Sequence, residues 1–596
     1  MDGFLKEFIT PIVKVRKGKD EQMFFTLNEY HDWKRTHNNG KGWNTKYYKG
    51  LGTSTAKEAK EYFKALRDHR LSFKYNGPVD EQNIDLAFNK KRADDRKEWI
   101  NRYVEGTFVD HSKKKIGYSD FINKELVQFS RYDVYRSIPS MVDGFKPTQR
   151  KVMFCAFKRN LKNDLKVAQL VGYISEHSAY HHGEASLENT IVGMAQDYVG
   201  SNNINLLFPS GQFGTRLAGG KDSASSRYIY TRLAPLTRHI FHPDDDAILE
   251  YLEDEGQNIE PRFYMPIIPM VLVNGATGIG TGWSTSVPCY SPRDLINNCK
   301  RFIKGQPFVE MDPWYKGFVG EIKPNDGKGY DVYGVADRND AKNTIDITEL
   351  PLRSWTQPYK EWLQDLLPHG RDKDDDKKRD LTLIDVREYH TEKTVHFTVK
   401  LSDAEMKKVQ VGGMDKCLKL KTTLSTDNMM LFGEDGKIMK HENPCQIIAE
   451  FCRIRLAYYD KRKNHLLKKL RQEWGILSNR KRFILMIIND ELIIKKKKRT
   501  DVIALLKQKG FKTMKEITAG EDLTELNAAP KAESSAEDGK KSDYDYLLNM
   551  NFWQLTMEKV EEKFPKENFR VFSEMRILAK IRVAILDFCR VSRFFD

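Results

Sequence analysis

Seven cysteines occur in 596 residues, at 155, 289, 299, 417, 445, 452 and 589, and none forms a CxxC pair. That scatter excludes a disulfide frame and a cysteine zinc site. It reads as reduced, mostly buried thiols of a cytosolic or nuclear protein. No apolar run approaches the ~20 residues needed to span a bilayer, and no secretory signal peptide opens the chain. A soluble protein with no membrane partner is expected. No GxxxxGK(S/T) loop is present, so no P-loop cradles a nucleotide phosphate here, and no internal repeat is found. What is abundant is positive charge, a net +15, which points to a polyanionic partner.

The pattern changes along the chain predict an α+β, multidomain protein. Residues 1–75 combine a β-rich start, FITPIVKV (8–15), with YYKGLGTSTAKEAKEYFKAL (47–66), a turn followed by a helix capped by Ser or Thr. Residues 76–117 read as a basic connector containing DDRKEW (94–99). From 118 to 290, helical segments alternate with Gly-rich turns. Residues 291–440 alternate apolar and polar residues in short runs, so a β-rich domain is expected. Residues 441–522 carry IIAEFCRIRLAYYDKRKNHLLKKL with the i, i+3/i+4 spacing of a long packed helix and a basic outer face. A polar Ala/Ser-rich linker (523–543) reads as disordered, and two further segments follow at 544–562 and 563–596.

One dipeptide carries the sharpest chemistry. Arg227-Tyr228 sits in GQFGTRLAGGKDSASSRYIYTRLAP (211–235), among glycines and small polar residues. A phenol there is a nucleophile for a phosphodiester, with the guanidinium neutralising charge on the phosphate oxygens. Most Arg-Tyr pairs are ordinary surface residues, so the reading depends on the surroundings. At neutral pH the phenol needs a proton acceptor or a stabilised anion, and the histidines of YHHG (180–183) are candidates. The plain alternative is an imidazole that satisfies a backbone carbonyl. Two acidic runs, Asp244-Asp245-Asp246 and DKDDDKK (372–378), invite a metal assignment. Neither receives one: the second is an uninterrupted run of charge, read as a solvated loop.

Three further segments, RSIPSMVDGFKPTQRK (136–151), YHHGEASL (180–187) and IIPMVLVNGATGIGTGWS (267–284), join the tyrosine stretch. Together they resemble the breakage-reunion core of eukaryotic type IIA DNA topoisomerases, near-continuously from Phe8 to about Glu562. The resemblance implies the trailing half of a Toprim module in 1–75 and a winged-helix domain of helix-turn-helix type in 118–290. It also implies a tower in 291–440, a coiled-coil arm in 441–522 and C-gate helices in 544–562, with an atypical tail after them. It makes Tyr228 the nucleophile, Arg227 the electrophilic stabiliser and His182 the group that supports the phosphate or the proton traffic. It assigns Lys49, Arg96, Lys97, Arg136, Lys146, Arg150, Lys151, Tyr180 and His181 to DNA. Ile279 becomes a wedge between base pairs, against the alternative of an isoleucine buried under a glycine turn.

Double-stranded DNA, a homodimer and a nuclear location follow from the same resemblance. The Mg²⁺ ligands and the ATP site are expected upstream of residue 1, leaving no metal ligand in this chain. Strands such as FITPIVKV are then expected without their sheet neighbours, and this chain alone is expected to bind DNA without cutting it. The alternative reading is a truncated, non-catalytic DNA-binding and dimerisation fragment of such an enzyme.

Overall fold

The computed structural model describes residues 4–48, 54–111, 113–254, 257–327, 329–368, 381–519 and 543–551, with Ser573. Lys49, the DKDDDKK run, nearly all of the 523–543 linker, most of the C-gate segment and all but one residue of the tail lie outside the described residues. The chain divides into two compact units, Met1–Arg238 with Glu250–Phe451, and His239–Leu249 with Cys452–Asp596. No helix among the described residues is long and apolar enough to cross a membrane.

In the first unit, FITPIVKV breaks into two strands because Pro11 has no N–H to give a ladder. Strand β1 (Lys6–Phe8) pairs antiparallel with a later strand, while β2 (Val13–Lys17) lies between β3 (Asp20–Phe24) and β4 (Asn44–Tyr47). Helix α1 (Leu27–Thr36) follows β3. Helix α2 (Ala56–Lys64) starts as expected: Thr55 accepts from the Glu58 amide, and Glu58 accepts from the Thr55 amide in return. The partner of β1 is β5 (Arg70–Lys74), whose other edge pairs in parallel with β6 (Lys115–Gly117). One sequence expectation is therefore corrected. The early strands do have sheet neighbours, supplied by this chain itself. The 76–117 segment, read as a basic connector, is helical in its middle, with α3 (Pro78–Phe88) and α4 (Ala93–Asn101), and its end completes a sheet. Buried Asp80 at the start of α3 ties these elements together, accepting from the amides of Asn76 and Ser119.

Helices α5 (Val127–Ser137), α6 (Pro147–Lys158), α7 (Val167–His177) and α8 (Glu184–Ala195) follow. They pack with a small antiparallel sheet in which β7 (Leu165–Lys166) and β8 (Leu207–Ser210) flank β9 (Tyr230–Leu233). The start of α6 is set by Pro147 in the first turn and by Gln149, whose side chain accepts from the Lys146 amide. Just before it, Gly144 holds φ +74, and a Cβ there would lie 2.7 Å from the Val271 backbone nitrogen. Strands β10 (Tyr251–Asp254) and β11 (Gln257–Pro261) form one hairpin, and β12 (Ala276–Gly280) and β13 (Trp283–Val287) another.

The alternating runs after residue 291 become strands, the fourth of which shows period-two burial. In β14 (Glu321–Pro324), β15 (Gly329–Tyr333), β16 (Val335–Asn339) and β17 (Thr344–Glu349), the last turns Ile345 and Ile347 fully inward. With β18 (Asp385–Glu388), β19 (Phe397–Lys400) and β20 (Lys421–Ser425) they make sheets ordered β14-β15-β20 and β16-β17-β19-β18. The long apolar periodicity becomes α9 (Pro444–Ile488), a 45-residue helix.

In the second unit, Phe483, Leu492, Leu506, Phe511 and Leu547 form a core. Asp245 is buried there between Arg455 (2.8 Å) and Arg462 (3.4 Å). Breaking such a pair by removing one partner is strongly unfavourable, so the middle Asp of the DDD run is structural.

Candidate nucleic-acid interface

The site grows out of α8. Beside it, residues 225–229 make a turn fastened on both sides of the Arg227-Tyr228 dipeptide. Ser226 donates from Oγ to Glu188 Oε1 on α8 at 2.6 Å, and its carbonyl accepts from the Ala168 amide at 3.2 Å. On the other side, Ile229 is 1% exposed and its carbonyl accepts from the Val167 amide at 3.0 Å. The two residues between these anchors have nowhere to go but outward. Tyr228 is 73% exposed, and neither it nor Arg227 bonds to another described side chain.

At the N-terminal end of α8, the YHHG segment meets α5 and α6 around a cleft of about 830 Å³. Tyr132, Arg136, Lys146, Lys151, His181 and His182 line it. Tyr180 is buried beside the ring of His182, edge to face at 5.5 Å. His182 Nε2 lies 2.5 Å from the Tyr132 hydroxyl, and among the described residues the imidazole meets this side chain and no backbone carbonyl. Burial first, then Arg136, His181 and Lys151, hold the His182 pKa below the ordinary histidine value. His181 Nε2 lies 3.6 Å from Asp254. Lys146 caps α6, and burial pushes its ammonium pKa down. A cation beside the free amides of a helix N-terminus suits a phosphate. Arg136 is exposed and steered by Asp133 at 3.1 Å.

Two cations of the expected DNA strip are otherwise engaged. Arg150 is 3% exposed and forks onto Asp143 at 2.7 and 3.0 Å. Asp143 also accepts from the amides of Phe145 and Tyr264, so the pair ties the DGFK turn to a distant segment. The direct phosphate contact expected of Arg150 is thus corrected to a buried structural ion pair. Lys151 faces the cleft, but its charge is matched by Glu260 at 2.8 Å. Farther along, Lys97 pairs with Asp94 and sits 5.3 Å over the Trp283 ring, while half-buried Arg96 donates to the carbonyls of Leu86 and Asn89.

The glycines of GIGTG have a steric reason. A Cβ on Gly278 would lie 2.1 Å from the Ser137 carbonyl oxygen, and one on Gly280 would lie 3.0 Å from Val134 Cα. Only bare backbone lets the β12–β13 hairpin lie this close to α5. Asp133 then clasps its tip, accepting from the Thr281 amide and hydroxyl at 3.0 Å each. Ile279, between the two glycines, points away and is 84% exposed, so it is not an isoleucine buried under the turn.

Sequence reasoning missed Tyr132, Asp133 and Glu188. The first two sit four and three residues before Arg136, and that helical spacing was the available signal. Nothing local marks Glu188.

Two family models match the chain: the C-terminal associated domain of TOPRIM over residues 8–134, and the A subunit of DNA gyrase/topoisomerase IV over 136–585. DNA topoisomerase 2 of Plasmodium falciparum is 48% identical over 592 residues, covering 98% of this chain and 41% of that protein. The Arabidopsis thaliana DNA topoisomerase 2 is 49% identical over 94% of this chain and 39% of its own length. Human DNA topoisomerase 2-beta is 47% identical over 94% and 35%. The chain thus spans about two-fifths of the curated relatives it matches. Among solved structures, the Plasmodium falciparum topoisomerase II DNA-binding, cleavage and re-ligation domain aligns with a TM-score of 0.80 at 47% identity, over 100% of this chain and 80% of that one. The chain belongs to the type II DNA topoisomerases.

Proposed function

We propose that this segment is the DNA-cleaving core of an ATP-hydrolysing type IIA topoisomerase. Acting as a homodimer in the nucleus, it cuts both strands of one duplex, lets another pass and reseals the break. The observation that carries the reading is the doubly anchored turn that holds Arg227 and Tyr228 outward, beside a cleft lined by Arg136, Lys146 and His182. Tyr228 attacks phosphorus and becomes joined to the 5′-phosphate while the 3′-oxygen departs. Arg227 presents a planar fork to two nonbridging oxygens. The phosphotyrosyl ester retains the energy of the broken bond, so resealing needs no external source. Lys146 and Arg136 hold the backbone near the break, with Lys49, Lys97, Tyr180 and His181 extending the contact. Ile279 stands ready to wedge between neighbouring base pairs, an unstacking that costs a few kcal/mol.

In the same reading residues 1–75 close a Toprim module, 118–290 form the winged-helix domain and 291–440 the tower. The long helix in 441–522 carries the coiled-coil arm towards the C-gate. Mg²⁺ is integral to the family's chemistry, but the described residues do not fit a site for it. Asp245 is taken by two arginines, Asp244 lies beside His242, and among the described residues no group of three or more His, Cys, Asp or Glu is placed to hold an ion. The ion, and the ATP that drives strand passage, belong to the proposal for the whole polypeptide.

The test is Tyr228→Phe in an enzyme assembled around this segment with its metal and nucleotide modules. DNA affinity should stay within about twofold while the covalent adduct trapped by denaturant disappears. Arg227→Ala should slow cleavage by about 10²-fold or more, the scale of losing one preorganised charge-stabilising donor. Adduct at the wild-type level with Phe at 228 would refute the assignment.

A further inference from the structure

We propose that Tyr132 is a positioning residue that fixes the tautomer of His182, so that this histidine meets DNA as a neutral hydrogen-bond donor through Nδ1. The inference rests on the reading of this cleft as the DNA site, and it decides between the two roles open to His182, support of the phosphate and uptake of a proton.

On α5, Tyr132 and Arg136 sit one turn apart and face the YHHG segment together. The Tyr132 hydroxyl is 2.5 Å from His182 Nε2, and the two rings stack with centroids 5.8 Å apart at 29°. Tyr180 meets the same imidazole edge to face at 5.5 Å, so two aromatic rings hold it in one orientation. In a phenol–imidazole pair the phenol is the stronger donor and the imidazole nitrogen the stronger acceptor. The proton between them therefore stays on the Tyr132 oxygen, and Nε2 accepts. A neutral imidazole has one proton left to place, and it goes to Nδ1. Nδ1 bonds to no described residue, which leaves it as a donor for a phosphate oxygen. With Nε2 occupied and Nδ1 already protonated, the ring has no lone pair free for a proton from Tyr228.

The cations around the ring act in the same direction, and the nearby carboxylates are each drawn to one of them. Arg136 faces it from α5 and Lys151 from α6, with Glu260 on β11 behind Lys151. His181 adjoins it in sequence and lies near Asp254 at the end of β10. Burial and these cations oppose a second proton, so His182 stays neutral through the physiological range.

The experiment uses the chain with ¹⁵N-labelled histidine, and His182→Gln identifies the resonance. Nitrogen shifts should show the Nδ1–H tautomer in the wild type. In Tyr132→Phe the resonance should revert to the Nε2–H form that free histidine side chains prefer, with its pKa moving up. Affinity for a short duplex should weaken by about tenfold at pH 7.5 in Tyr132→Phe, the scale of one hydrogen bond to a charged group. That loss should recover on lowering the pH, because the imidazolium donates from both nitrogens, whereas a merely structural loss would not recover. An Nε2–H tautomer in the wild type, or an unchanged tautomer in Tyr132→Phe, overturns the inference. If instead His182→Gln and Lys146→Ala both leave DNA affinity and its salt slope untouched, the reading of the cleft falls, whichever tautomer is present.

Discussion

Replacing Asp143 with Asn separates a structural from a DNA-binding role for the arginine beside it. Asp143 is fully buried and accepts four hydrogen bonds: two from Arg150, at 2.7 and 3.0 Å, and one each from the amides of Phe145 and Tyr264, at 2.9 Å. Asn keeps the shape and one carbonyl oxygen but loses the charge. Its NH₂ group also turns a donor towards either the guanidinium or an amide. Removing one partner of a buried ion pair leaves an uncompensated charge, a loss of about 3–5 kcal/mol. Because Asn retains some of the acceptance, about 3 kcal/mol is expected. Spread over a folding unit of this size, with an unfolding entropy of about 2.1 cal/mol/K per residue, that lowers Tm by roughly 3 °C. Arg150→Met should be similarly harmful, but joining it to Asp143→Leu should restore much of the loss, since an apolar pair of matching volume needs no desolvation of charge. Thermal unfolding by calorimetry gives the stabilities, and a salt titration of duplex binding gives the contact count. An unchanged Tm in Arg150→Met, with the salt slope falling by about one unit, would mean that Arg150 sits on a phosphate after all and that this reasoning is wrong.

Two more predictions rest on geometry. Gly278→Ala places a methyl 2.1 Å from the Ser137 carbonyl, so the hairpin must lift from α5 and the calorimetric Tm should fall; an unchanged Tm would refute the close approach. Ile279→Ala, at a side chain 84% exposed, should leave stability within about 0.5 kcal/mol yet reduce the bend of a bound duplex, which end-to-end energy transfer measures; an unaltered bend would remove Ile279 from the proposed wedge. A third concerns pH. His111 donates to Glu125 at 2.9 Å, and that bond raises its pKa above the unfolded value near ~6.5, burial opposing. Protonated His111 is therefore favoured in the fold, so its contribution is complete below pH ~6.5 and drains away as the pH rises through the folded pKa. Stability of the first unit should decline across that window in the wild type and flatten in His111→Gln; an identical slope in both would count against the pair.

Much of this protein is decided by neighbours along the chain. The Thr55–Glu58 capping box, the inward alternation of Ile345 and Ile347 and the 45-residue helix all follow from local spacing and were readable in the sequence. Arg227-Tyr228 was legible only in the company of the segments around it, since most Arg-Tyr pairs are ordinary surface residues. What the sequence left open were choices between partners far apart in the chain. Arg150 could have met a phosphate, but Asp143 reaches it first in a place water does not enter, where an unpaired charge is not tolerated. Ile279 could have been buried or exposed, and the closeness of Ser137 and Val134 to its flanking glycines settles the matter. The first strand looked orphaned because its partner, β5, lies beyond a long stretch of intervening strands and helices. A side chain's charge and shape are written in sequence, but the group it spends them on is set by which distant backbone folds against it.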